Sequence, residues 1–260
     1  MKLKQIFIFL GLMLILASCK SSLSEGEAKD LSAIIAKIEI QQNLADRNDN
    51  SVIVSLYDTD NNRIANKNII IKANNVVLDT IETTSLYYTK SNFYRKENIL
   101  VGDNYKFEIT LTDNKTYLLG SVKPITEIDD KNIKLNETGD FEKDFVMNWH
   151  DLKEMNQLSI SKSVLLKSST RLEMTYPYED TQLRKIGGDG KYVLPKSAYI
   201  NSKRILSGVE FKFIALKLGD ISKELAKGSE IKISGAVDKY VNFDEESMIT
   251  WKGDNMQVKK

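Results

Sequence analysis

Tyr105-Lys-Phe-Glu-Ile-Thr-Leu-Thr112 alternates without a break: Tyr105, Phe107, Ile109 and Leu111 are apolar, and Lys106, Glu108, Thr110 and Thr112 are polar. A period of two sends successive side chains to opposite faces of a strand. One face of this strand is therefore buried and the other wet, as in an antiparallel sheet packed on a single side. Asp113-Asn114 supplies a turn into Thr116-Tyr-Leu-Leu-Gly-Ser-Val122. Upstream, Ser51-Val-Ile-Val-Ser-Leu-Tyr57 reads as a strand ended by Asp58-Thr-Asp-Asn-Asn62. Asn68-Ile-Ile-Ile-Lys72 and Val76-Val-Leu-Asp-Thr-Ile81 flank Asn74-Asn75, a dipeptide that tolerates positive φ and suits a tight hairpin.

Pro124 and the charged run Glu127 to Asp140 predict an interdomain linker. The alternation resumes in Phe145-Val-Met-Asn-Trp149, whose Phe145, Met147 and Trp149 share a face. Leu158–Ser161, Arg171–Thr175, Val209–Phe213 and Glu230–Ser234 continue the strand pattern. Only Asp220 to Gly228 predicts a helix, with Asp220 as N-cap, good formers at Lys223–Lys227 and Gly228 as terminator. Strands at short spacing with turn signals between them predict an all-β chain of two antiparallel sandwiches in series.

Two segments carry a resemblance. Ile99-Leu-Val-Gly-Asp-Asn-Tyr105 is similar to the segment before a late strand of immunoglobulin-like and fibronectin type III domains, in which a tyrosine ring closes a corner. Phe145–Trp149 resembles the early core strand of fibronectin type III domains, with Trp149 at the core tryptophan. The resemblance implies two immunoglobulin-like β-sandwich domains in tandem, residues 32–126 and a fibronectin type III-like 141–260, joined by 127–140. It says little about activity, because such folds host many functions.

The start of the chain has a different character. Lys2 and Lys4 precede an apolar run from Ile6 to Leu16, roughly eleven residues and short of the ~20 that span a bilayer. Leu16-Ala-Ser-Cys19 follows, and it resembles the lipobox of bacterial lipoproteins, in which the cysteine is alkylated by diacylglycerol and the chain is cut just before it. An ordinary secretory signal cleaved after Ser18 would leave Cys19 incidental. Cys19 is the only cysteine, so no intrachain disulfide can form, and acylation would remove a reactive thiol. The resemblance implies a signal peptide over residues 1–18 and a lipidated Cys19; the first domain and this start together resemble the immunoglobulin-like lipoproteins of the Bacteroidota. Lys20 in place of the aspartate that often retains lipoproteins at the inner membrane favours the outer membrane. Lys20 to Asp30 is small, polar and charged, so residues 19–31 read as a lipid anchor with a flexible tether, spanning roughly 17–20 Å.

Composition narrows the chemistry. Lys+Arg (37) balances Asp+Glu (36), which argues against nucleic acid as a partner. His150 is the only histidine, and no G-x-S-x-G turn exposes a nucleophile. Zinc sites built on several His or Cys ligands are excluded by the counts. Asp58–Asn62 begins like a calcium loop, but Arg63 stands where glycine is needed and Ile69 where the bidentate glutamate belongs, so it reads as a turn. Gly187-Gly-Asp-Gly190 lacks the context of a phosphate cradle and reads as a flexible loop. Neither a metal nor a cofactor is expected. Paired carboxylates could still serve a glycosidase.

The stretch most suited to binding is Leu86 to Lys96, where Tyr87, Tyr88, Phe93 and Tyr94 surround Thr89-Lys-Ser-Asn92. Such rings stack on sugar faces or anchor a protein partner; in a hairpin, alternate rings would instead fill the core. The reading is a lipid-anchored, non-enzymatic binding or assembly module with an envelope protein or glycan as partner. The alternatives are a carbohydrate-binding accessory protein of a glycan uptake system and, beyond it, a glycosidase. Changing Cys19→Ala should leave an uncleaved precursor and abolish labelling by a fatty-acid analogue; labelling that persists would contradict acylation at Cys19.

Overall fold

The computed structural model describes residues 21–44, 46, 48–84, 90–100, 102–167, 172–173, 181–201 and 204–243. Residues 1–18, expected to be a signal peptide, and Cys19, Tyr87 and Tyr88 lie outside these residues. The fold is all-β, and the described residues contain short 3-10 turns but no α-helix. The strands in chain order are β1 (Ile35–Asn43), β2 (Ser51–Tyr57), β3 (Ile70–Ala73), β4 (Val76–Val77), β5 (Asp79–Thr84), β6 (Lys90–Glu97), β7 (Tyr105–Thr110), β8 (Thr116–Val122) and β9 (Ile133–Lys134). They continue with β10 (Thr138–Gly139), β11 (Phe145–Trp149), β12 (Met155–Lys167), β13 (Leu172–Glu173), β14 (Gln182–Lys185), β15 (Gly190–Leu194), β16 (Arg204–Leu218), β17 (Asp220–Ile221) and β18 (Glu230–Phe243).

Two compact units form, but not as consecutive blocks. Unit 1 takes Met1–Ile40, Ser51–Lys123 and Leu218–Lys232; unit 2 takes Gln41–Asn50, Pro124–Lys217 and Ile233–Lys260. One crossing, between Lys123 and Pro124, lies three residues before the expected end of the first domain at residue 126. The others fall after Ile40 within β1, after Asn50 just before β2, after Lys217 at the end of β16 and after Lys232 within β18.

In unit 1 a five-stranded sheet has the order β17-β8-β7-β3-β4. β7 has the alternation its sequence dictates, with Tyr105, Phe107 and Ile109 fully buried. Asn74 and Asn75 take φ of 47° and 67° and make the tight β3–β4 turn. The strand expected over Val76–Ile81 is split: β4 pairs with β3 and β5 with β6, with buried Leu78 between them donating its N–H to Ile71 O at 2.9 Å. The predicted helix at Asp220–Gly228 does not form. Asp220 and Ile221 pair with Ser121 and Gly120 as β17, and turns closed by Leu225 N to Ser222 O (3.3 Å) and Ser229 N to Ala226 O (3.3 Å) follow. Gly120 makes this possible, because a Cβ there would lie 2.2 Å from Asp220 O.

The flexible tether is also overturned from Ser21 onward. Ser21, Ala28 and Leu31 are buried. Asn66 Nδ2 donates to Leu23 O and Gly26 O, both at 2.9 Å, and Ala65 N donates to Ser24 Oγ at 2.9 Å. Farther along, Thr112 gives its N–H (3.1 Å) and its hydroxyl (2.9 Å) to Ala28 O. The polar residues that suggested a solvated chain instead serve as partners for the backbone of unit 1.

Unit 2 sets the three-stranded sheet β15-β11-β9 against longer strands, and aromatic rings join the layers. Phe145 stacks on Phe211 (5.5 Å, 14°), and Trp149 meets Phe213 edge-on (5.5 Å, 72°). The expected linker 127–140 is built into this unit: β9 pairs with β11, and β10 runs parallel to β18. Gly187–Gly190 is not a free loop. Trp149 Nε1 donates to Gly187 O (3.1 Å), Leu152 N to Gly188 O (2.9 Å) and Asp151 N to Asp189 Oδ1 (2.9 Å). Gly190 lies opposite Trp149, where a Cβ would fall 2.2 Å from the indole. Trp149→Ala should therefore destabilise the protein by ~3–5 kcal/mol, read by denaturant unfolding; a variant that unfolds with the wild type would place the ring outside the core.

Candidate functional site

The aromatic stretch separates by strand geometry. β5 and β6 pair from Asp79↔Arg95 to Thr84↔Lys90, so the connection spans residues 85–89 and Lys90–Asn92 belongs to a strand rather than a turn. Tyr94 points inward: it is 2% exposed, its hydroxyl donates to Asn66 O at 3.2 Å, and burial raises its phenol to about 12. Phe93 is half-buried. Of the four rings, Phe93 is thus the one described residue with an outward share.

Tyr105 departs from the tyrosine-corner expectation. Its ring is fully buried, its hydroxyl has no hydrogen-bond partner among the described residues, and burial raises its pKa to about 12. The ring fills the core and closes no corner. His150 is exposed at the end of β11, where its backbone N–H donates to Asn132 O at 3.0 Å.

Asp58 is buried in its turn. Its Oδ1 accepts from Asp60 N (3.0 Å) and Asn62 N (2.8 Å), and its Oδ2 accepts from Asn62 Nδ2 (3.2 Å). Burial alone would raise this carboxyl; hydrogen bonds from Ser21, Asn62 and Asp60 outweigh it and hold the pKa low. Those N–H groups occupy the lone pairs a calcium ion would need. Among the described residues no group of three or more His, Cys, Asp or Glu side chains could hold a metal.

The other carboxylates with displaced pKa values move the same way. Burial would raise Glu154, but hydrogen bonds from Lys217 and Thr126 lower it. Hydrogen bonds from Ser32, Lys115, Lys143 and Lys37 respectively lower Asp30, Asp113, Asp140 and Glu230. Each of these carboxylates is stabilised as the anion.

The candidate site is a groove in unit 1 of about 450 Å³, where the β3–β4 turn meets the loop entering β7. Asn74 builds it: its backbone N–H donates to Lys106 O (2.9 Å), and its Oδ1 accepts from Lys106 N (2.8 Å). Asn75 and Asn104 line the groove with side-chain amides that have no partner among the described residues. Lys106 and Glu108, on the wet face of β7, neutralise each other at 2.6 Å. Leu100, 66% exposed, contributes an apolar wall. The lining offers amide donors and acceptors with balanced charge. In the sequence Asn74-Asn75 and Asp103-Asn104 read only as turn or corner residues. What joins them is the pairing of Ala73 with Phe107, a long-range fact.

No family model matches the chain, and no curated protein matches it. Solved structures similar to it include the Yersinia pseudotuberculosis adhesin InvE, at 10% identity and a TM-score of 0.22, covering 80% of this chain and 58% of that one. Another is SGBP-B of the Bacteroides ovatus mixed-linkage glucan utilization locus, in complex with a mixed-linkage heptasaccharide, at 8% identity and a TM-score of 0.17, covering 78% of this chain and 60% of that one. The chain spans less than two thirds of either, and at these TM-scores neither likeness bears on the site.

Proposed function

We propose that the protein is a lipid-anchored cell-envelope protein, sorted to the outer membrane, that binds a partner and catalyses no reaction. The lipobox-like Leu16-Ala-Ser-Cys19 supports the anchor. The groove supports the binding role: two unengaged side-chain amides flank a charge-neutral pair and an apolar wall on a sheet-built floor. Such a surface suits a neutral, polyhydroxylated ligand, because each amide presents both a donor and an acceptor and no net charge selects an ion. This favours a glycan over a charged partner.

The test measures binding of neutral oligosaccharides to the full chain. Asn75→Gly keeps the positive φ that the turn needs while removing the amide, and Asn104→Ala removes the second. With ~1 kcal/mol for each lost hydrogen bond, the double variant should bind at least about tenfold more weakly at an unchanged melting temperature. Unaltered binding would remove the groove from the account. Turnover of the oligosaccharide, abolished by replacing one acidic residue or His150, would overturn the non-enzymatic reading.

A further inference from the structure

The folded body begins two residues after the cysteine that carries the proposed anchor. Ser21 is 2% exposed, its Oγ accepts from Leu23 N at 3.2 Å, and its side chain hydrogen-bonds Asp58. Two residues of extended chain reach at most ~7 Å. A flexible tether of residues 20–30 would have allowed the body to stand well clear of the bilayer; this one cannot. We infer that the pole of unit 1 formed by Ser21–Gly26 and the loop from Asp58 to Lys67 rests against the lipid headgroups. The inference relies on acylation at Cys19.

Charge does not bring it there. Within Ser21–Gly26 and Asp58–Lys67 the cations Arg63 and Lys67 are matched by Glu25, Asp58 and Asp60, and Lys67 is ion-paired with Glu82 at 3.7 Å. Apposition follows from chain length alone, so it is the same on zwitterionic and anionic bilayers. The strands also fix what faces away. β3 runs from Ile70, just after this loop, to Ala73 and the Asn74–Asn75 turn; antiparallel β7 runs back from Tyr105 to Thr110, just before Thr112 meets Ala28. Val76, paired with Ala73 and so level with Phe107, therefore lies with the groove toward the opposite end of the sheet, three residues or about 10 Å along β7 from Thr110.

Acylation consumes the only native cysteine, so an introduced one is a unique labelling site. Lys67→Cys and the far-pole control Val76→Cys are labelled with a fluorophore in the full lipidated chain. Each is reconstituted in phosphatidylcholine vesicles carrying a headgroup-linked quencher. The label at 67 should lose most of its fluorescence and the label at 76 little, with no change when phosphatidylglycerol is added. A flexible Gly/Ser insert of about ten residues between Lys20 and Ser21 should abolish the difference. Equal quenching at both sites, or quenching at 67 that survives the insert, overturns the inference while the anchor stands. Failure of the wild-type chain to incorporate a fatty-acid label overturns the anchor and the inference together.

Discussion

A strand that ends must find new partners for the backbone groups its neighbours no longer satisfy, and an unmet buried group costs ~1–3 kcal/mol. Here the partners are side-chain amides and carboxylates. Gln42 accepts from Ile125 N (2.8 Å) and donates to Ile125 O (2.9 Å), while Glu154 accepts from Thr126 N (2.6 Å). Asp58 closes the turn after β2, Asn66 carries the N-terminal segment, and Asn74 ties the β3–β4 turn to β7. Asparagine also takes most of the backbone conformations that glycine often supplies: Asn61, Asn74, Asn75, Asn98 and Asn114 all have positive φ.

The same device gives unit 1 two unlike poles. At one, Asn66 bonds the segment that follows Cys19, and its amide is spent on the chain's own backbone. At the other, Asn74 holds the loop before β7, and Asn75 and Asn104 remain unspent beside a neutral ion pair. Anchoring and binding, as proposed, thus occupy opposite ends of one sheet whose buried face is the Tyr105-Phe107-Ile109 row.

Local patterns were legible wherever one strand decided them. Alternation in the sequence delimits β2 at Ser51–Tyr57 and β11 at Phe145–Trp149 and identifies the buried face of β7. Features that depend on a distant partner were not legible. Val76–Ile81 reads as continuous, yet the chain changes sheets at Leu78. Lys223–Lys227 are good helix formers, but the pairing of Asp220–Ile221 with β8 overrides that propensity through a glycine distant in sequence. The polar composition after Cys19 fits solvation equally well as docking, because the deciding acceptors and donors lie on Arg63, Ala65, Asn66 and Thr112. Of the binding stretch, the hairpin and its inward ring Tyr94 follow from alternation; the groove depends on the β3–β7 register.

Native-state hydrogen exchange on the full chain tests most directly whether the body begins at Ser21. The amides of Ala65 and Thr112 donate to Ser24 Oγ and Ala28 O, acceptors that exist for them only when the N-terminal segment is docked. The account predicts that both exchange as slowly as the strand amides of Phe107 and Ile109. Exchange of both at unprotected-peptide rates, with β7 still protected, would contradict it.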